Sequence, residues 1–177
     1  VTRPTHFQAR ELFREACRLD PELPEAHIWR ARVNNGVISY GWSDDPSVDL
    51  REAMEAALRG IYLDDKNPYA HYALAMASVF SNPEQAVLPA EKVVELSPGF
   101  ALGQFAVGLA RLSSGRASEA IVPFQRGLKL SPHDPQNPAW FNLLAMAQLI
   151  AGDTESASLS AARALAARPD WRPTLET

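Results

Sequence analysis

The sequence predicts an all-α protein: a right-handed superhelical solenoid of antiparallel helix pairs, about nine helices in 177 residues. Three observations predict it. The first is a recurring turn: Leu19-Asp20-Pro21, Leu63-Asp64-Asp65, Leu96-Ser97-Pro98, Leu130-Ser131-Pro132 and Ala167-Arg168-Pro169, at intervals of 44, 33, 34 and 37 residues. Proline cannot continue a helix and biases its predecessor away from helical geometry, so each turn falls at a fixed place. The second is a triad spaced by four and then three residues ahead of each turn. These are Ala9/Phe13/Ala16, Ala53/Ala57/Gly60, Ala86/Ala90/Val93, Ala120/Phe124/Gly127 and Ala157/Ala161/Ala164. That spacing places the triad on one helix face, and its small members admit a close neighbouring helix. The third is a stop residue inside the period, Asn82, Gly115 and Gly152, after an apolar helical stretch.

Taken in order, a lone helix is expected near 5–19. Pairs follow at 24–37 with 47–63, 68–80 with 83–96, 101–113 with 117–130, and 136–151 with 153–167. The expected organisation is one continuous domain. A half repeat spans 5–21, repeats run 22–65, 66–98, 99–132 and 133–169, and a truncated tail from 170 to 177 begins a further helix at Trp171. The long first interval is explained by an insertion, Gly36–Asp49, containing Tyr40-Gly41-Trp42-Ser43-Asp44-Asp45-Pro46. The simpler reading is an extended helix that folds an aromatic back onto the solenoid before a capped start near Ser47. The other is a binding loop contacting a partner through Tyr40 and Trp42. Ser131-Pro132-His133-Asp134-Pro135 lengthens a second turn.

Composition narrows the function classes. With 46% hydrophobic and 21% charged residues the chain can build an ordinary soluble core. A net charge of −4 opposes sequence-independent nucleic-acid binding and docking on anionic membranes. No apolar run reaches the ~18–20 residues a membrane span needs. The single cysteine, Cys17, forms no internal disulfide and suits a reducing, cytoplasmic setting. The chain starts at Val1 without an initiator methionine, as a piece of a longer protein would.

These residues resemble the tetratricopeptide (TPR) family, whose motif is a 34-residue helix–turn–helix. Ala101–Pro132 is the best repeat, with Gly108, Gly115, Ala120, Phe124 and Pro132 on motif positions. Gln104 and Arg111 depart from it, standing where large apolar residues are usual. The order of the irregular features, ending in Arg168-Pro169-Asp170-Trp171, is more loosely similar to the C-terminal TPR region of bacterial regulatory proteins. Those carry a class III adenylate/guanylate cyclase or a winged-helix DNA-binding domain at the N-terminus, and the resemblance implies a signalling or regulatory parent.

No catalytic constellation is legible, so the chain is expected not to be an enzyme and to need no cofactor or metal. His6, His27, His71 and His133 fall in different repeats without ligand spacing. His27 and His71 share a repeat slot, and hydrogen bonding between elements is their expected role. Asp44, Asp45 and Asp49 lack the pattern of a calcium loop and read as a turn and cap. Cys17 reads as a buried structural thiol.

What remains is a concave face lined by the first helix of each pair. Projection places Ile28, Arg32 and Asn35 there, then Tyr69, Tyr72 and Met76, then Leu102, Phe105 and Leu109, then Asn142, Met146 and Leu149. Of these, Arg32, Tyr69, Tyr72, Met76, Phe105, Leu109, Asn142 and Met146 are the expected partner-binding residues. The aromatic and Met-rich surface suits an apolar protein or peptide segment, supplied by a partner or by the parent chain itself. The alternative is a structural spacer or homodimerisation element joined to an N-terminal cyclase or DNA-binding domain.

Overall fold

The computed structural model describes residues 2–167, and among them there are nine α-helices and no strand. They are α1 (Arg3–Leu19), α2 (Pro24–Ser39), α3 (Pro46–Leu63), α4 (Pro68–Ser81), α5 (Pro83–Leu96), α6 (Ala101–Ser113), α7 (Ala117–Leu130), α8 (Asn137–Ile150) and α9 (Thr154–Ala167). Every helix expected from the turn signals is present, with ends displaced by no more than two residues. The expected helix start at Trp171 lies outside the described residues.

Local chemistry sets the ends. Proline occupies the first turn of α1 to α5 and α8, where its missing N–H has no partner to lose. The Asp45 carboxylate accepts from the Ser47 and Val48 amides, and Asn67 accepts from the Tyr69 amide. Three helices end on one device. Gly41, Gly115 and Gly152 adopt φ of +66°, +76° and +88°. The glycine amide and the next amide return to carbonyls of the last turn, as in Gly115 to Leu112 at 3.0 Å and Arg116 to Arg111 at 2.8 Å. Gly115→Ala therefore lowers the unfolding free energy by about 1 kcal/mol with helix content unchanged, read by urea titration.

The chain divides between Pro98 and Gly99 into two units. In the first, α2 packs on α1, α3 and α4, and α4 packs on α5. Between α2, α3 and α4 the core is Ala31, Ala56, Ala57 and Ala73, against which Leu74 packs. A Cβ on Gly60 of α3 would stand 2.7 Å from the Ile28 side chain of α2, so the glycine sets that approach. In the second unit α7 packs on α6 and α8, and α8 on α9. Its core is larger in grain: Phe124 and Trp140, 0% and 1% exposed, with Leu112, Leu128 and Leu144 around them. Gly108 makes room for Phe124, whose ring would lie 2.7 Å from an added Cβ.

One motif departure, Arg111, acquires a reason here. Pro89 and Pro123 sit inside α5 and α7 at the same slot, the seventh residue of each helix. A mid-helix proline leaves the carbonyl four residues earlier without its amide. In α7 that carbonyl is Glu119, and the Arg111 guanidinium of α6 donates to it at 3.3 Å. An arginine at an otherwise apolar position thus supplies the donor that Pro123 removed.

A second recurring device ties three helices, α2, α4 and α8, to the turn before each. His27 Nε2–H donates to the Pro21 carbonyl at 2.9 Å, and His71 Nε2–H to the Asp65 carbonyl at 2.8 Å. Asn137 Nδ2–H donates to the Ser131 carbonyl at 2.9 Å. In all three the donor lies six residues after the acceptor. The shared slot of the two histidines is a turn tether.

Candidate functional site

Unit 1 brings two i,i+3 pairs together, Trp29 with Arg32 on α2 and Tyr69 with Tyr72 on α4. Residues three apart share a helix face, and the alanine core lets the two helices approach closely. Asn35, buried, fixes their register by donating Nδ2–H to the Ala73 carbonyl of α4 at 2.8 Å. The Arg32 guanidinium then lies 4.4 Å from the Trp29 ring centre, 4.8 Å from Tyr69 and 5.4 Å from Tyr72. Trp29 continues the array on both sides, tilted on Tyr69 at 5.9 Å and stacked with Phe13 of α1 at 6.3 Å.

The physical character of this face follows from its parts. A guanidinium over an aromatic face gains about 0.5–1 kcal/mol where exposed and about 2 kcal/mol where desolvated. The planar cation stacks through its faces while its N–H edges stay available in plane. Among the described residues no carboxylate forms an ion pair with Arg32, whereas Arg10, Arg14 and Arg30 all have acidic partners. Trp29 is 40% exposed, and Arg32, Tyr69 and Tyr72 are half-buried. The result is a rigid aromatic surface with one fixed positive charge.

A charge network joins α1, α2 and α3 in the same unit. Glu52 accepts from Arg14 Nη2 at 2.9 and 3.1 Å, from Arg30 at 3.4 Å and from Asn34 at 3.3 Å. Burial alone pushes the Glu52 carboxyl up, but hydrogen bonds and charge from Arg14 and then Arg30 hold it below the usual carboxylate range. Asp49 takes Arg10 at 3.0 Å and the Ser43 hydroxyl at 2.6 Å.

The insertion is an extended α2 followed by the Gly41 turn and the Asp45 cap. Tyr40 and Trp42 stack on each other at 4.6 Å and meet the His6 ring edge-on at 5.9 and 5.7 Å. His6 Nε2–H in turn donates to the Val33 carbonyl at 3.0 Å. The insertion thus folds an aromatic pair back onto α1, and Tyr40 keeps 52% of its surface exposed.

The expected partner-binding residues divide between the units. Arg32, Tyr69 and Tyr72 converge, while Met76 of α4 is buried. Ile28 and Asn35, projected onto the open face, are 2% and 5% exposed. That projection is corrected: α2 is packed by α1, α3 and α4, so its open face is narrow and centres on Trp29. In unit 2, Phe105 is half-buried, stacked on Trp140 at 4.9 Å and against Phe124 at 5.9 Å. Leu109 packs on the same core. Asn142 is half-buried and Met146 is 43% exposed. Phe13 and Trp29 were not expected at the site.

A Cys–His pair, not legible in the sequence, is also present. The carbonyl of Pro21 fixes the proton on His27 Nε2, leaving Nδ1 to accept from the Cys17 thiol at 3.6 Å. Burial pushes the Cys17 thiol up, against a lesser opposing influence from Arg30, which disfavours the thiolate that nucleophilic chemistry needs. Both residues are buried, so the pair is structural.

No family model matches the sequence. Over 64 residues the chain is 38% identical to an Hsp70-Hsp90 organizing protein of Triticum aestivum. The match takes in 36% of this chain and 11% of that protein, so the chain spans only a small part of its relative. Among solved structures, TTC0263, a thermophilic TPR protein in Thermus thermophilus, is similar with a TM-score of 0.73 and 21% identity. The match covers 93% of this chain and 84% of that one. YrrB, a TPR protein with an unusual peptide-binding site, is similar with a TM-score of 0.62 and 18% identity, over 94% and 80% of the two chains. At these identities the likeness is one of fold: all-α, TPR-like helix pairs.

Proposed function

We propose that this chain is a non-catalytic protein–protein interaction module, and that Trp29, Arg32, Tyr69 and Tyr72 seat a protein segment. The observation carrying this is the Arg32 guanidinium, ringed by three aromatic faces on a half-exposed surface with no acidic partner among the described residues. Rigid aromatic anchors beside an arginine are the chemistry that concentrates binding energy at interfaces. The peptide-binding site in the description of YrrB, and the organizing protein matched over 64 residues, support the same class of function.

Phage-displayed random peptides panned on the full chain test it. Wild type enriches a consensus combining an apolar residue with an acidic one. Arg32→Ala and Trp29→Ala lose that consensus at least about tenfold, with thermal unfolding little changed because both side chains reach the surface. Identical enrichment on wild type and both variants sinks the assignment of this face.

A second reading, a homodimerisation or spacer element, is favoured by Met146, Leu149 and Ile150 near the end of α8. They are 43%, 59% and 63% exposed. Light scattering across a concentration series separates the two readings.

A further inference from the structure

Unit 2 holds a second surface, independent of the aromatic face of unit 1. Helices α7, α8 and α9 enclose an open cleft of about 490 Å³, within the ~300–1,000 Å³ range of ligand sites. Its apolar parts are Leu128 of α7, Phe141 and Leu144 of α8, and Leu159 of α9. Leu128 and Leu144 are buried in the floor, while Leu159 is 63% exposed at the rim. The far wall is closed by Ser160, whose hydroxyl donates to Gln148 Oε1 at 2.7 Å; both residues are buried.

The charge at this cleft has one sign. Lys129 on α7 and Arg163 on α9 line opposite sides, both exposed, and no acidic residue among the described ones lines it. Neither cation has a carboxylate partner among the described residues. Arg163 sits over the Phe141 ring at 5.9 Å, which keeps its charge above the apolar floor. The corresponding α1–α2–α3 seam of unit 1 is different: there Arg14 and Arg30 are neutralised by Glu52. Among the described residues of unit 2, no carboxylate takes the matching place in the seam.

We propose that this cleft receives an acidic amphipathic helix of a partner protein. Its leucine or phenylalanine side chains enter the gap beside Phe141 and Leu159, and its carboxylates pair with Lys129 and Arg163. Helix-in-groove docking needs an apolar stripe with complementary charges on the flanks, and the cleft supplies the receiving half of that pattern.

The test uses the full chain and two fluorescein-labelled helical peptides of ~14 residues, long enough to cross three helices. Both carry leucines at i, i+3 and i+7, with glutamates between them in one and lysines in the other. Fluorescence anisotropy is expected to show saturable binding of the glutamate peptide, weakened by salt, and none of the lysine peptide. Lys129→Glu and Arg163→Glu each weaken it about tenfold or more, and the double reversal transfers preference to the lysine peptide. The titrations are repeated in the Arg32→Ala background, which removes any contribution of the unit 1 face, and there Lys129→Glu and Arg163→Glu still weaken the remaining binding about tenfold or more. No binding of the glutamate peptide, equal binding of both, or indifference to the charge reversals overturns the proposal. So does concentration-dependent self-association abolished by Arg163→Glu, because a second copy of the chain would then be the occupant.

Discussion

Trp140→Ala lowers the unfolding free energy of unit 2 by about 3–5 kcal/mol, the range for deleting a fully buried indole. The side chain is 1% exposed, stacks on Phe105 at 4.9 Å, and lies 3.3 Å from where a Cβ on Gly127 would sit. Removing it leaves a void between α7 and α8 that rings so tightly packed cannot collapse to fill. Trp140→Phe costs much less for a specific reason. Indole Nε1–H is buried without an acceptor among the described residues, so losing it relieves an unsatisfied donor. Urea unfolding followed by far-UV circular dichroism measures both changes, and hydrogen exchange should localise the weakening to α6–α9. Equal losses for the two variants would remove the argument from Nε1.

The second large effect is electrostatic. Glu52→Ala leaves Arg14 and Arg30 facing each other across the α1–α2–α3 seam with no anion between them. Breaking a buried ion network by removing one partner costs about 3–5 kcal/mol when fully desolvated. The side chains here are 22–33% exposed, so about 2 kcal/mol is expected. The dependence on pH gives a sharper signature. The Glu52 carboxyl is held below its ordinary value of 4.5 in the folded state, so its contribution is fully present above that value. It is lost as pH falls through the lower folded value, because the unfolded chain then takes up the proton first. Wild type and Glu52→Ala should differ most near neutrality and converge in acid. A difference constant from pH 7 to pH 3 would show that the carboxylate charge is not what the network uses.

The same residues show why the fold was more legible than the site. Proline, glycine and side-chain caps act within a few residues of themselves. Pro21, Pro98, Pro132, Gly115 and Gly152 therefore mark helix ends without knowledge of what packs on what. The site depends on which face of α2 stays open, and that is decided by three neighbouring helices. Asn34 and Asn35 are polar and buried, Trp29 is aromatic and 40% exposed, so hydropathy along α2 points the wrong way. Arg32, Tyr69 and Tyr72 follow from projecting the first helix of each pair, which needs only the helix period. In sequence Phe13 is a packing residue of its triad; its stacking on Trp29 needs the α1–α2 crossing, which the sequence does not contain. The Glu52 network and the Cys17–His27 pair likewise join residues distant in sequence. A hint was available in Trp29-x-x-Arg32 and Tyr69-x-x-Tyr72, two i,i+3 pairs of the types that stack.

The alanine core between α2, α3 and α4 gives the two units opposite sensitivities to random substitution. Where Ala31, Ala56, Ala57 and Ala73 meet, little side-chain volume remains to delete, so truncation to glycine costs only the lost helix propensity, about 1 kcal/mol. Any added methyl instead pushes helices apart and displaces Trp29 and Arg32 from Tyr69. Around Phe124 and Trp140 there is volume to lose, so shrinking a ring does most of the damage, although Gly108 still admits no added methyl. Over many generations, drift toward bulk would be purged from the first unit and drift toward smallness from the second. The two halves would thus record different substitution histories despite sharing one architectural plan.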